Sequence, residues 1–199
     1  LQIEACSDID TVMSKRREIL LGALKDADSQ VKKAAAEALE SLQARERVDA
    51  LEKKIETGEM LEKIRVIYAL SDLRGPRVAE ALAKSLKDPV EDVRAAGVRA
   101  LGSLGDPSTL PQMVESLKDT SPIVARAAVE ALATFKDPRL LGPFMQMLKH
   151  QDTGVVERAL QAVAAIGDKR AEDAFIYFAA KGNPTMKAIA LKGLGSMDI

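Results

Sequence analysis

The apolar positions of this chain recur with a period of 31 residues. Leu39, Leu70, Leu101, Leu132, Val163 and Leu194 form one column. A small residue precedes each of them (Ala38, Ala69, Ala100, Ala131, Ala162, Gly193), and Leu42, Leu73, Leu104, Phe135, Ile166 and Met197 follow three positions later. The other half of the period carries Leu20, Leu51, Leu82, Met113, Phe144 and Phe175, with Leu24, Ile55, Leu86, Leu117, Leu148 and Ala179 four residues on. Side chains three and four apart share one face of a helix, so each period holds two amphipathic helices. Self-similarity at such a period is the signature of a helical repeat array.

The polar punctuation agrees. Asp88 and Pro89 end one helix, and Gly105, Asp106 and Pro107 supply a stop, an N-cap and a proline suited to a first helical position. Lys136-Asp137-Pro138 and Gly167-Asp168 repeat that turn, and Gly75-Pro76 repeats it in weaker form. Near the N-terminus, Leu1 to Asp10 lie outside the repeat phase and read as a lead-in. A helix from Thr11 to about Lys25, a turn at Asp26 to Ser29 and a helix from Ser29 to about Gln43 make the first pair. Ala44 to Arg47 contain no breaker, so the chain there is open to running on as one long bent helix.

Composition narrows the function. Lys and Arg number 29 against 30 Asp and Glu, giving a net charge of −1, and no block of like charge interrupts the balance. A groove that tracks phosphates needs a basic excess, so nucleic acid is disfavoured as a partner. One cysteine, Cys6, and one histidine, His150, leave no intrachain disulfide and no multi-histidine or cysteine metal site. No apolar run is long enough for a membrane span, and no signal peptide is visible, so the expected setting is cytoplasmic. With aromatics at 3% and no tryptophan, small aliphatic side chains must fill the core.

Units three and four, through Asp88-Pro89, Val93-Arg94, Ala100-Leu101, Gly105-Asp106-Pro107 and Leu117-Lys118-Asp119, resemble the short HEAT-like repeat of bilin-lyase-type proteins. The resemblance runs from about Arg17 onward. It implies an all-α fold, a right-handed α-solenoid of about six stacked antiparallel helix pairs forming a single array over residues 1–199. It further implies a ladder in which an acidic turn residue pairs with a base six positions on, as Asp26 with Lys32 and Asp88 with Arg94. On that rule Thr57 and Lys63 keep only the base, Asp119 is followed by Ala125 with Arg126 one place late, and His150 faces Val156, so the ladder is expected to lapse toward the C-terminus.

In HEAT-like arrays the second helix of each pair lines the concave side. With Val93, Gly97, Ala100, Leu101 and Leu104 as core, a 100° step per residue puts Ala95, Arg99 and Gly102 on the far side. Their columns nominate a groove for a peptide, helix or protein surface. Ile64 and Tyr68 are its apolar contacts, Arg99 and Arg126 its donors, Glu130, Glu157 and Gln161 its acceptors and polar neighbours. The small Gly102 column (Ser71, Gly102, Ala133, Ala164, Gly195) is expected to leave a strip where a partner's backbone approaches. Tyr and Arg are the side chains that most often dominate binding energy.

No catalytic constellation is legible, and no cofactor or metal is called for. His150 lacks a partner histidine, cysteine or carboxylate pair in sequence, Cys6 lacks a partnering histidine, and Met145 and Met147 fit core filling better than a soft-metal site. HEAT-type hydroxylases use His-Glu pairs for iron, and His150 is followed by Gln151. The expected function is therefore a non-enzymatic scaffold for another protein or peptide, with an enzyme subunit or cofactor-handling protein related to bilin lyases as the alternative. Ile189, Leu194 and Met197 sit in columns that elsewhere contact the next unit. This predicts an adjoining domain, a continuing chain or an end-to-end homo-oligomer, such as two stacked C-terminal ends.

Overall fold

The computed structural model describes residues 15–73 and 76–196. The lead-in with Cys6, the helix start at Thr11, the turn residue Gly75 and the column member Met197 lie outside the described residues. Every regular element among the described residues is helical: α1 (15–23), α2 (Ser29–Thr57), α3 (Met60–Ser71), α4 (Pro76–Ser85), α5 (Glu91–Leu104), α6 (Leu110–Glu115), α7 (Pro122–Ala133), α8 (Leu141–Met147), α9 (Thr153–Ile166), α10 (Glu172–Lys181) and α11 (Pro184–Ser196). Short 3-10 turns at Pro107–Thr109, Pro138–Leu140 and Lys169–Ala171 lead into α6, α8 and α10.

Contacts divide the chain into two compact units, residues 1–51 and 52–199. In the first, α1 and the N-terminal part of α2 make a helix pair. The Asp28 carboxylate caps α2 by accepting from the Gln30 N–H at 2.6 Å, and Leu42, at 7% exposure, lies on its covered side. Ala44 to Arg47 are helical, so α2 is one continuous 29-residue helix. Without Gly or Pro, nothing in that stretch favours leaving the helix.

The second unit is an α-solenoid. Its second helices α3, α5, α7, α9 and α11 pack in sequence, each on the one before, and α4, α8 and α10 each pack on the second helix that follows. The 31-residue columns are its core: Leu70, Leu101, Leu132 and Val163 are fully buried, as are Leu82, Met113 and Phe175, with Phe144 almost so. The turns take the chemistry expected of them. Gly105 and Gly167 end α5 and α9 in the left-handed region at φ 68° and 70°, where a Cβ is disfavoured. Asp106, Asp137 and Asp168 each accept the backbone N–H two residues on at 2.9 Å, fixing the entry to the next first helix.

Buried arcs on the second helices are wider than a single amphipathic face. Val93, Ala95, Ala96, Gly97, Val98, Ala100 and Leu101 of α5 are all buried, because a helix inside the stack is covered by its own first helix and by second helices on both sides. Only a narrow stripe of each is left to solvent.

Candidate functional site

That stripe is the row Tyr68, Arg99, Glu130, Gln161 and Lys192, one residue per second helix, every one exposed. The row runs along consecutive helices whose axes pack about 8–10 Å apart, so five members span roughly 32–40 Å. Leu61 and Ile123, a helical turn or two toward the N-terminus on α3 and α7, are exposed apolar neighbours of the same stripe. The sequence reading passed over both. Their signal is an apolar residue seven positions before the row in two of the five units, which projection from a single core face does not single out.

Three nominated residues are engaged elsewhere. Arg126 is half-buried and reaches Asp152 with two bonds, Nε to Oδ1 at 3.1 Å and Nη2 to Oδ2 at 2.8 Å. Glu157, also half-buried, accepts from Nδ2 of Asn183 at 2.9 Å. Glu130 is exposed but accepts from the Arg158 guanidinium. Ile64 is half-buried, which leaves Tyr68, Arg99 and Gln161 as the nominated residues that stand out in solvent.

Two positions expected to lie open on the outside are covered, Ala95 fully and Gly102 in part. Ala95 is buried, and a Cβ added at Gly102 would come within 2.7 Å of the Ala131 Cβ. The backbone that approaches the small strip at Gly102 is the neighbouring helix α7 of the same chain, so close helix packing uses it up.

The acid–base ladder joins neighbouring units, and it does not lapse where expected. Lys63 donates to Asp88 at 2.7 Å, across from α3 to the turn before α5. Arg94 grips Asp119 with a fork, Nε to Oδ2 at 2.7 Å and Nη2 to Oδ1 at 2.9 Å, while its Nη1 donates to the carbonyls of Asp88 and Pro89 in its own turn. Arg126 and Asp152 continue the series, and Asn183 with Glu157 ends it with donor and acceptor exchanged. Pairing thus crosses 25 or 26 residues rather than six. Arg126 has moved one place along because its acid moved too. His150 occupies the old acid position and its Nδ1 accepts the Asp152 N–H at 3.0 Å, as Asp88 and Asp119 accept from Val90 and Ser121. Arg94 holds the Asp119 carboxyl below its ordinary range, and Arg126 does the same to Asp152.

The rungs flank an open cleft of about 530 Å³ lined by Asp119, Thr120, Lys149, His150 and Asp152 among others. Its acids are spent on arginines. The described residues bring together no group of three or more His, Cys, Asp or Glu placed to hold a metal ion, and no helix among them is long and apolar enough to cross a membrane.

Compared with family models, the sequence matches HEAT repeats over residues 17–101, 61–124 and 84–157, more than half of the chain. The chain belongs to the HEAT-repeat family. No curated protein matches it. Human deoxyhypusine hydroxylase, solved with glycerol, shares 23% identity at a TM-score of 0.60, over 74% of this chain and 50% of that one. The chain thus spans half the length of that enzyme. The CpcE–CpcF complex of phycocyanin lyase from Nostoc shares 20% identity at 0.50, covering 90% and 76%. A designed armadillo repeat protein in complex with the peptide (KR)4 shares 18% at 0.56, covering 90% and 98%. At these identities the HEAT-repeat likeness concerns the fold.

Proposed function

We propose that the chain is a non-enzymatic scaffold that binds an extended peptide or a segment of another protein along the exposed row of its second helices. The observation that carries this reading is the row itself. At the same register on five consecutive helices the stack presents Tyr, Arg, Glu, Gln and Lys to solvent, on a backbone fixed behind them by buried columns and by the ladder. A chemically varied row on a rigid, regular support discriminates among partners at little ordering cost, since the scaffold is already organised. Its length, roughly 32–40 Å, matches about 10–12 residues of extended chain. Tyr68 with Leu61 and Ile123 offers apolar anchors, and Arg99 a planar donor. The designed armadillo protein holds a peptide on a similar fold, which supports the mode without naming a partner.

The test is affinity capture with this chain beside a variant carrying Tyr68→Ala, Arg99→Glu and Gln161→Ala, all at exposed positions. A peptide or protein held by the parent and lost by a variant with an unchanged melting transition supports the reading. Equal capture by both forms removes the row from consideration. A pigment or other small molecule in the eluate would favour the cofactor-handling alternative.

A further inference from the structure

Four of the turns that open second helices are closed in one way, by a side chain that accepts the backbone N–H two residues on. Asp26 accepts from Asp28 at 2.8 Å, Asp88 from Val90 at 2.9 Å and Asp119 from Ser121 at 2.8 Å. In the next unit the same position is His150, whose Nδ1 accepts from Asp152 at 3.0 Å. Thr57 and Lys181 hold the position elsewhere.

The amide held by His150 belongs to a residue that ties two helices together. Oδ1 of Asp152 caps α9 by accepting the Val155 N–H at 2.9 Å and also takes Nε of Arg126, while Oδ2 takes Nη2 of the same guanidinium. The N-terminus of α9 is anchored to α7 through this one side chain, and the two helices pack on each other behind it.

A carboxylate and an imidazole behave differently in this role when the medium turns acidic. Arg94 holds the Asp119 carboxyl below its ordinary range, so it stays an acceptor through mild acid. Histidine is the side chain whose protonation falls between pH 5 and 8, and an imidazolium carries a proton on both nitrogens. A protonated His150 therefore cannot accept the Asp152 N–H; two N–H groups would face each other. The surrounding charges do not restore the bond. They are Lys149 and Asp152 of its own turn, Asp119 of the turn before α7 and, on α7, Arg126. Helix α8 carries none, and Glu157 and Arg158 of α9 are taken by Asn183 and Glu130. Both aspartates attract an imidazolium, which draws the ring off the N–H and sets it against Arg126 for Asp152.

We infer that the α7–α9 junction is a pH-sensitive joint, closed while His150 is neutral and loosened when it takes up a proton. The turns closed by carboxylates keep their acceptor over the same range. Glu130 of α7 and Gln161 of α9 stand on either side of the joint, so the spacing of the exposed row between its third and fourth members follows it. The joint itself holds whether or not that row binds a partner.

The test is amide exchange with water, measured by nuclear magnetic resonance on the full chain between pH 7.0 and 5.5. Val90 and Ser121 are internal controls, and no second histidine titrates in this window. After correction for intrinsic exchange, protection at Asp152 is expected to fall roughly two- to tenfold relative to Ser121, the worth of one hydrogen bond. His150→Asn keeps a side-chain acceptor that does not titrate, so its Asp152 amide should follow Ser121 throughout. Parallel behaviour of Asp152 and Ser121 in the wild type overturns the inference. So does a pH dependence that survives in His150→Asn, which would place the titrating group elsewhere. Protection at Val90 and Ser121 shows in the same spectra that the variant is folded.

Discussion

Removing the Arg94 guanidinium should uncouple the third and fourth repeats more than any surface ion pair could. The side chain makes four hydrogen bonds, two to the Asp119 carboxylate and one each to the carbonyls of Asp88 and Pro89. Arg94 and Asp119 are only 15% and 13% exposed at the side chain. A fully exposed pair contributes about 0–1 kcal/mol and breaking a fully buried one costs about 3–5 kcal/mol, so a loss of about 2–3 kcal/mol is expected for Arg94→Met. The stranded Asp119 carboxylate keeps the Ser121 N–H at 2.8 Å, which holds the cost below the upper limit. Asp119→Asn should cost somewhat less, and the double variant less than the sum, with a coupling of about 1–2 kcal/mol. Arg94→Lys is the informative intermediate. Lys63 shows that an ammonium can form a rung, but a lysine cannot also tie down two carbonyls. Urea unfolding followed by circular dichroism gives the energies, and native-state hydrogen exchange on α5 and α7 locates them. A cost under about 0.5 kcal/mol for Arg94→Met, with no coupling to Asp119, would show that the ladder is a by-product of stacking rather than a support for it.

Three further outcomes follow from the packing. Leu101→Ala, at a fully buried column position, should lose about 2–5 kcal/mol in the same unfolding assay, and a loss near zero would mean that the column is not core. Gly97→Ala brings a Cβ to 1.9 Å from the buried Ser85 Oγ, so it should destabilise by about 1–3 kcal/mol despite alanine's better helix propensity, and Ser85→Ala in the same chain should recover most of the loss. Asp119 and Asp152 have folded-state pKa values lowered by their arginines. Their contribution is therefore complete above the ordinary carboxylate value near 4 and is lost as pH falls below it. Unfolding free energy against pH should decline more gently for Asp119→Asn than for the wild type.

The buried columns were legible because a repeat averages out local accident: one leucine proves little, but Leu70, Leu101 and Leu132 at equal spacing fix the phase of every helix around them. Tyr68, Arg99 and Gln161 could be placed outside on the same phase. Ala95 and Gly102 could not, since a single-faced projection has no term for a neighbour on each flank, and alanine and glycine look alike on a solvent face and in a tight helix contact. The ladder was misread for a different reason. Its partners lie in successive units, 25 or 26 residues apart, and the substitution of His150 shifts acid and base together, so a comparison confined to one turn and its own helix records a gap where the fold has a bond. Leu61 and Ile123 were passed over because each is one apolar residue on an otherwise polar stripe.

His150 is the chain's only histidine, and its Nδ1 is occupied in accepting a backbone N–H from the residue that anchors Arg126. An Nδ1 that accepts in this way leaves Nε2 as the nitrogen that carries the proton of the neutral ring. A single imidazole signal, free of overlap from any other, thus reports on the turn between α8 and α9: nitrogen chemical shifts that distinguish the two ring nitrogens would follow the state of this one junction in the intact protein enriched in nitrogen-15, with no foreign reporter group, while a partner is titrated onto the second helices.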